Sequence, residues 1–182
     1  MIISTILDEY KLVSQILNKR NMLNIGLGSI SLKLEDDKMI INKKNKTFLE
    51  DDFFTIVHIN KKELSWNEAS KDIKIHAKIY KTISYAKTIL NIFPINTISY
   101  SLTHTFFKPI DLQGKAILEK VKIIEMENED NIDFMITKHL KERSILIIRG
   151  YGVFIIARDI KEALKKAIIL ENSTTILLNT NH

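Results

Sequence analysis

The sequence contains no cysteine, which excludes disulfides and thiolate metal sites. Proline occurs twice and glycine five times, so no stretch reads as an interdomain linker, and one domain spanning residues 1–182 is expected. No apolar run approaches the roughly 18–20 residues that a membrane helix needs. The segment from Met1 to Lys11 carries Asp8 and Glu9 early and has no small-residue cleavage site, so it does not read as a signal peptide. A cytoplasmic location is the expectation that follows. Internal repeats and low-complexity segments are also lacking.

Charge is present in both signs but unevenly placed. The net charge is +5. Residues 61–124 hold eleven basic and five acidic side chains, whereas the flanking thirds are nearly balanced. Such a field attracts phosphates or nucleic acid, or is simply a solvated lysine face. No aromatic stacking platform or recognised nucleic-acid motif accompanies it, which makes nucleic acid an unlikely partner.

Periodicity predicts alternating helices and strands. Ile6, Tyr10, Val13 and Leu17 recur at helical spacing and predict a helix over about Thr5–Asn21, with Thr5 and Asp8 as a loose cap. Ile30, Leu32 and Leu34 alternate with Ser31 and Lys33, the pattern of a half-buried strand. Met39–Ile41 and Phe53–Ile59 read as further strands, the first reached through a turn at Glu35–Asp37. A helix is expected from about Ser70 to Ala86. Two apolar stretches split by Pro94–Asn96 follow, then a long strand over Ala116–Met126 and a helix over Asn131–Leu140. Ser144–Ile148 and Val153–Ala157 are strands joined tightly through Gly150-Tyr-Gly152. Asp159 and Glu162 form a capping box for a last helix reaching about Leu178. The sum is an α/β domain, a central sheet with helices on its faces.

The helix at 70–86 carries the most informative pattern. Lys71, Lys74, Lys78 and Lys81 share one face, and Ile75, His76, Ile79, Tyr80 and Ile83 the other. Asp72 lies on that second, mainly apolar face. A carboxylate there must be hydrogen-bonded, paired or functional; satisfying free amides at the helix start is the structural option. His76, one turn on, reads as a packed histidine or a partner for Asp72.

Five segments, in order, resemble the class II (zinc) aldolase and adducin-head family, and together they cover nearly the whole chain. The family segment G-x-x-x-G-N-I-S-x-R is matched by Asn24-Ile-Gly-Leu-Gly-Ser-Ile-Ser-Leu-Lys33. Its strand into T-P-[ST]-G and the following L-x-x-D are matched by Met39-Ile-Ile-Asn-Lys-Lys-Asn45 and Leu49-Glu-Asp-Asp-Phe53. S-S-E-x-x-x-H-x-x-I-Y is matched by Ser70-Lys-Asp-Ile-Lys-Ile-His76-Ala-Lys-Ile-Tyr80. H-T-H-P is matched in place by Asn91-Ile-Phe-Pro94. R-N-H-G, with its downstream acidic and E-A positions, is matched by Arg149-Gly-Tyr-Gly152 through Asp159-Ile-Lys-Glu-Ala163. The resemblance implies a three-layer α-β-α domain, with a mostly antiparallel sheet of about seven or more strands. It also implies a homo-oligomer, commonly a tetramer.

The departures from the family pattern fall on its chemistry. The three histidines that hold zinc in the family stand here as Asn91, Phe93 and Tyr151, and the family glutamate as Asp72. Phenylalanine cannot ligate metal and asparagine is a poor zinc ligand, so no metal and no other cofactor is expected. By resemblance the phosphate pocket comprises Ser29, Lys44, Asn45, Ser70 and Lys71, whose serine and lysine side chains still suit an oxyanion. The reading is a degenerate member kept for binding or assembly, as the adducin head exemplifies within the family. The alternative is a lyase acting on a small sugar phosphate without zinc, with Asp72 and Tyr151 in the cleft as its acid and base.

Overall fold

The computed structural model describes residues 2–35, 37–126 and 131–180. Helix α1 spans Ile2–Lys19, followed by strands β1 (Ser29–Lys33), β2 (Lys38–Asn42) and β3 (Phe54–His58). A 3-10 turn at Leu64–Asn67 leads to α2 (Ile73–Thr82), β4 (Thr88–Ile92), α3 (Ile95–Ser101), β5 (Phe106–Phe107) and α4 (Leu112–Ile117). Then come β6 (Val121–Ile124), α5 (Ile132–Leu140), β7 (Ile145–Ile148), β8 (Gly152–Ala157) and α6 (Ile160–Thr180).

The eight strands among the described residues join one sheet in the order β3-β2-β1-β4-β8-β7-β6-β5. Every pairing is antiparallel except β6 with β7. Strand side chains alternate between two cores, as a period of two requires when both faces are covered. Leu90, Ile147, Val153 and Ile155 face α1 and α6 through Tyr10, Leu17, Ala163 and Leu170. Ile89, Leu146, Phe154 and Ile156 face α2 and α5 through Ile75, Ile79, Ile136 and Leu140. The three-layer architecture expected from sequence is the one observed. No helix among the described residues is long and apolar enough to cross a membrane.

Several local expectations are corrected. α1 is already running at Ile2, so Thr5 and Asp8 lie inside it rather than at its start. The expected strand Ala116–Met126 divides into the end of α4 and the short β6. Asp111 accepts from Gly114 N at 2.8 Å and starts a helix in front of the apolar residues. α2 is shorter than 70–86: it begins at Ile73, and Ile83 is already extended after closing the last turn to Ile79. Lys71 therefore precedes the helix instead of joining its lysine face. Ser31 is fully buried, so β1 is not solvated on its serine side. The strand expected at Phe53–Ile59 starts at Phe54, and the two-residue β5 was not expected at all. The turn expected at Glu35–Asp37 includes Asp36, which lies outside the described residues. The capping box at α6 forms in part: Asp159 accepts from Glu162 N at 2.8 Å, while the Glu162 carboxylate accepts from Arg158 N at 2.9 Å.

Candidate functional site

The face of β1 turned toward α2 carries Ser29 and Ser31, two residues apart. The facing side of α2 carries Asp72, His76 and Tyr80 at intervals of four. Two strand residues advance about 6.7 Å and four helical residues about 6.0 Å, so the two series interleave. Ser29 Oγ donates to Asp72 Oδ2 at 2.6 Å and lies 2.8 Å from His76 Nε2. Ser31 Oγ lies 2.6 Å from His76 Nδ1 and 2.8 Å from the Tyr80 hydroxyl. Asn91, paired with Ser29 across β1 and β4, donates from Nδ2 to Asp72 Oδ2 at 2.9 Å.

The direction of every proton in this chain follows from its two ends. His76 is fully buried, and burial lowers its pKa from 6.5 to about 4 against the opposing pull of the Asp72 charge. The imidazole is therefore neutral near pH 7, with one N–H and one lone pair. Asp72 Oδ2 takes the Ser29 proton, so Ser29 Oγ accepts from His76 Nε2–H. His76 Nδ1 then accepts from Ser31, and Ser31 accepts from Tyr80. Burial pushes the Tyr80 phenol well above its usual range and keeps it a donor. The tautomer is assigned from this network, and it is the one that satisfies each group. Asp72 makes no side-chain cap to α2; its carboxylate serves the ladder instead of the helix amides.

Above this ladder lies a cleft of about 460 Å³, lined among others by Gly28, Asn42, Lys44, Ser70, Lys71, Asp72, Asn91, Phe93 and Tyr151. The sequence-flagged residues Lys44, Ser70, Lys71, Asp72, Asn91 and Tyr151 thus come together. Two do not reach the lining: Ser29 is buried beneath the floor, and Asn45 is exposed on its turn. Asn42 and Gly28 were not singled out from sequence. Asn42 Oδ1 accepts from Ile30 N at 2.9 Å and fixes the start of β1; an asparagine ending an apolar strand was the available signal. Gly28 has φ +86°, and a Cβ there would sit 2.7 Å from both Asn91 O and Leu23 Cδ2, so only glycine lets the loop close over the floor. A smaller depression of about 240 Å³ where the chain enters β6 and β7, among Glu119, Lys120, Glu142 and Arg143, contains none of the residues expected at a site.

The far wall is set by α3 and the β7–β8 turn. Gly150 takes φ +64° there, and Tyr151 N bonds Ile148 O at 3.0 Å. The Tyr151 ring meets Phe93 edge to face, centroids 5.8 Å apart. Both termini of α3 are tied down. Glu171 accepts from Asn96 N, Thr97 N and Thr97 Oγ1 at 2.8–3.0 Å. Arg149 donates to Ser101 O at 2.6 Å and Leu102 O at 3.0 Å, each charge matching the helix dipole. Gly150 N donates to Ser101 Oγ at 2.9 Å and links that helix to the turn.

The donor set does not fit zinc. Of the three positions where the family pattern places imidazoles, Phe93 offers no donor atom and Tyr151 a phenol. Asn91 has its amide nitrogen committed to Asp72, with Oδ1 buried and unpartnered. Among the described residues no three His, Cys, Asp or Glu side chains cluster as ligands, and a zinc site needs at least three good ones.

The family model for the Class II Aldolase and Adducin N-terminal domain matches residues 11–178. Among solved structures, the chain is similar to L-fuculose-1-phosphate aldolase from Thermus thermophilus, with TM-score 0.89, 18% identity, and coverage of 98% of this chain and 95% of that one. A sugar-phosphate aldolase from Thermotoga maritima gives TM-score 0.80 at 14% identity, covering 98% and 96%. The N-terminal class II aldolase domain of a conserved protein from Thermoplasma acidophilum gives 0.69 at 14%, covering 94% and 93%. By sequence, none of the curated proteins matches the chain.

Proposed function

Taking as premise that the chain belongs to the class II aldolase and adducin N-terminal domain family, we propose that it is a binding member working without zinc, its cleft holding a small phosphorylated ligand. One observation carries this reading. Asp72, at the family's acid/base position, is bonded to Ser29 and Asn91, while Phe93 and Tyr151 pack against each other where imidazoles would stand. Lys44, Lys71 and Ser70 supply the cationic and hydroxyl donors for a phosphate. Neither lysine is ion-paired among the described residues. Calorimetric titration with inorganic phosphate tests the reading: saturable binding that weakens at least tenfold in Lys71→Ala supports it, and no binding at millimolar phosphate defeats it.

A second reading has one observation in its favour: Asp72 and Tyr151 line the same cleft. In it the protein is a zinc-independent lyase for a small sugar phosphate, with Asp72 accepting a proton and Tyr151 returning one. Turnover of a panel of ketose and aldose phosphates, abolished by Asp72→Asn, selects this reading over simple binding.

We also propose a cytoplasmic homo-oligomer, a tetramer by resemblance. Large apolar side chains support it: Ile25 and Leu27 in the loop over the cleft, and Ile95 and Leu102 at the ends of α3, are all more than half exposed.

A further inference from the structure

The two ends of the cleft differ in chemistry. The loop over it runs from one to the other. A Cβ at Gly26 would lie 3.9 Å from Lys44 O, and one at Gly28 3.4 Å from the Phe93 ring. Lys44 stands at the Gly26 end, and the segment carrying Ser70 and Lys71 is tied to its strand there, Ser70 N donating to Asn42 O at 2.8 Å and Lys44 N to Glu68 O at 3.1 Å; all three residues line the cleft. At the Gly28 end Phe93 and Tyr151 meet edge to face, with Ile98 beside them. The hydrogen bond from Asn91 to Asp72 joins the ends across the floor. The cleft is thus basic at one end and aromatic at the other, with a short polar strip between.

We propose that this cleft takes an anion with a planar apolar body, in its simplest form an aryl phosphate monoester, in preference to an open-chain polyol phosphate. The inference rests on the reading of the cleft as an anion site and adds the class of ligand. A polyol placed with its phosphate at Lys44 and Lys71 presses hydroxyls against the Phe93 ring, Ile98 and the ring face of Tyr151, none of which offers a hydroxyl a partner. Each hydroxyl that loses water there without gaining a partner weakens binding roughly tenfold. A ring in the same place meets aromatic faces and edges, and burying about 60 Å² of apolar surface strengthens binding by roughly tenfold. The two effects act in the same direction. Phe93 and Tyr151 are then specificity-determining residues, and the lysines serve any phosphate equally.

The test titrates the full-length protein with phenyl phosphate, glycerol phosphate and inorganic phosphate. Phenyl phosphate is expected to bind at least tenfold tighter than glycerol phosphate. The double change Phe93→Asn and Tyr151→Asn, checked for folding by its melting curve, should collapse that ratio toward one, because it removes the apolar wall and offers hydroxyls a partner, whereas Lys71→Ala should weaken all three ligands by a similar factor. Equal affinities for phenyl and glycerol phosphate overturn the inference and leave the anion site standing. A preference for phenyl phosphate that persists in the folded Phe93→Asn, Tyr151→Asn variant also overturns it. If none of the three binds, the anion-site reading itself falls and takes the inference with it.

Discussion

Substitution of His76 by glutamine separates a buried neutral imidazole from an ordinary one. In the wild-type protein His76 sits between Ser29 and Ser31 with a pKa of about 4 against 6.5 in the unfolded chain. Between those values the unfolded state binds more protons than the folded state, so stability falls as pH falls. The contribution is complete above about pH 6.5 and is lost on the way down to about pH 4. At about 1.4 kcal/mol per unit, it amounts to about 3 kcal/mol in full and about 2 kcal/mol by pH 5. His76→Gln cannot titrate. It should be less stable than wild type at about pH 7.5, by about 1–3 kcal/mol for each serine hydroxyl left without a partner. At about pH 5 the gap between the two proteins should shrink by about 2 kcal/mol. Urea unfolding followed through Trp66 fluorescence at both pH values measures it. The remaining histidines are common to both proteins and cancel in the comparison. A gap that stays constant within about 0.5 kcal/mol refutes the neutral, buried imidazole and with it the proton directions assigned to the ladder.

Other outcomes follow from the same geometry. The triple change Asn91→His, Phe93→His and Tyr151→His, with Asp72→Glu to recover reach, should gain zinc by plasma mass spectrometry. Neither zinc nor a chelator should move the melting temperature of the unmodified protein. One tight zinc equivalent in the unmodified protein, lost in Asp72→Ala, contradicts this. Gly28→Ala forces a Cβ to within 2.7 Å of Asn91 O at φ +86° and should cost about 2–3 kcal/mol. An unchanged melting temperature would show that the loop relaxes freely. Sedimentation at micromolar concentration should give a multiple of 21.1 kDa; a particle of monomer mass rules out the oligomer.

Much of the fold was legible because both faces of the sheet are apolar. Strands such as Val153–Ala157 and helices such as α1 announce themselves by local periodicity. The cleft was legible in part, since Lys44, Ser70, Lys71, Asp72, Asn91 and Tyr151 do converge. What escaped was register. Ser31 reads as a solvent-facing strand residue until α2 is laid over it, and nothing near residue 31 specifies that His76 and Tyr80 will be its partners. The Lys71 face failed for a related reason: a helix expected from Ser70 begins at Ile73, which turns Lys71 toward the cleft. Ala116–Met126 failed because the Asp111 cap outweighs an apolar alternation that suits a strand equally well.

The double anchoring of α3 has a kinetic consequence. A seven-residue helix tied to α6 through Glu171 and to the β7–β8 turn through Arg149 and Ser101 cannot swing without breaking charge-assisted bonds at both ends at once. The wall carrying Ile98 and Tyr151 is therefore a stator. Motion that admits or releases a ligand falls instead to the loop over the cleft that carries Gly26 and Gly28 and to the long side chains of Lys44 and Lys71. The association rate of an anion should then fall with added salt, and α3 itself adds no opening step to set the pace of dissociation.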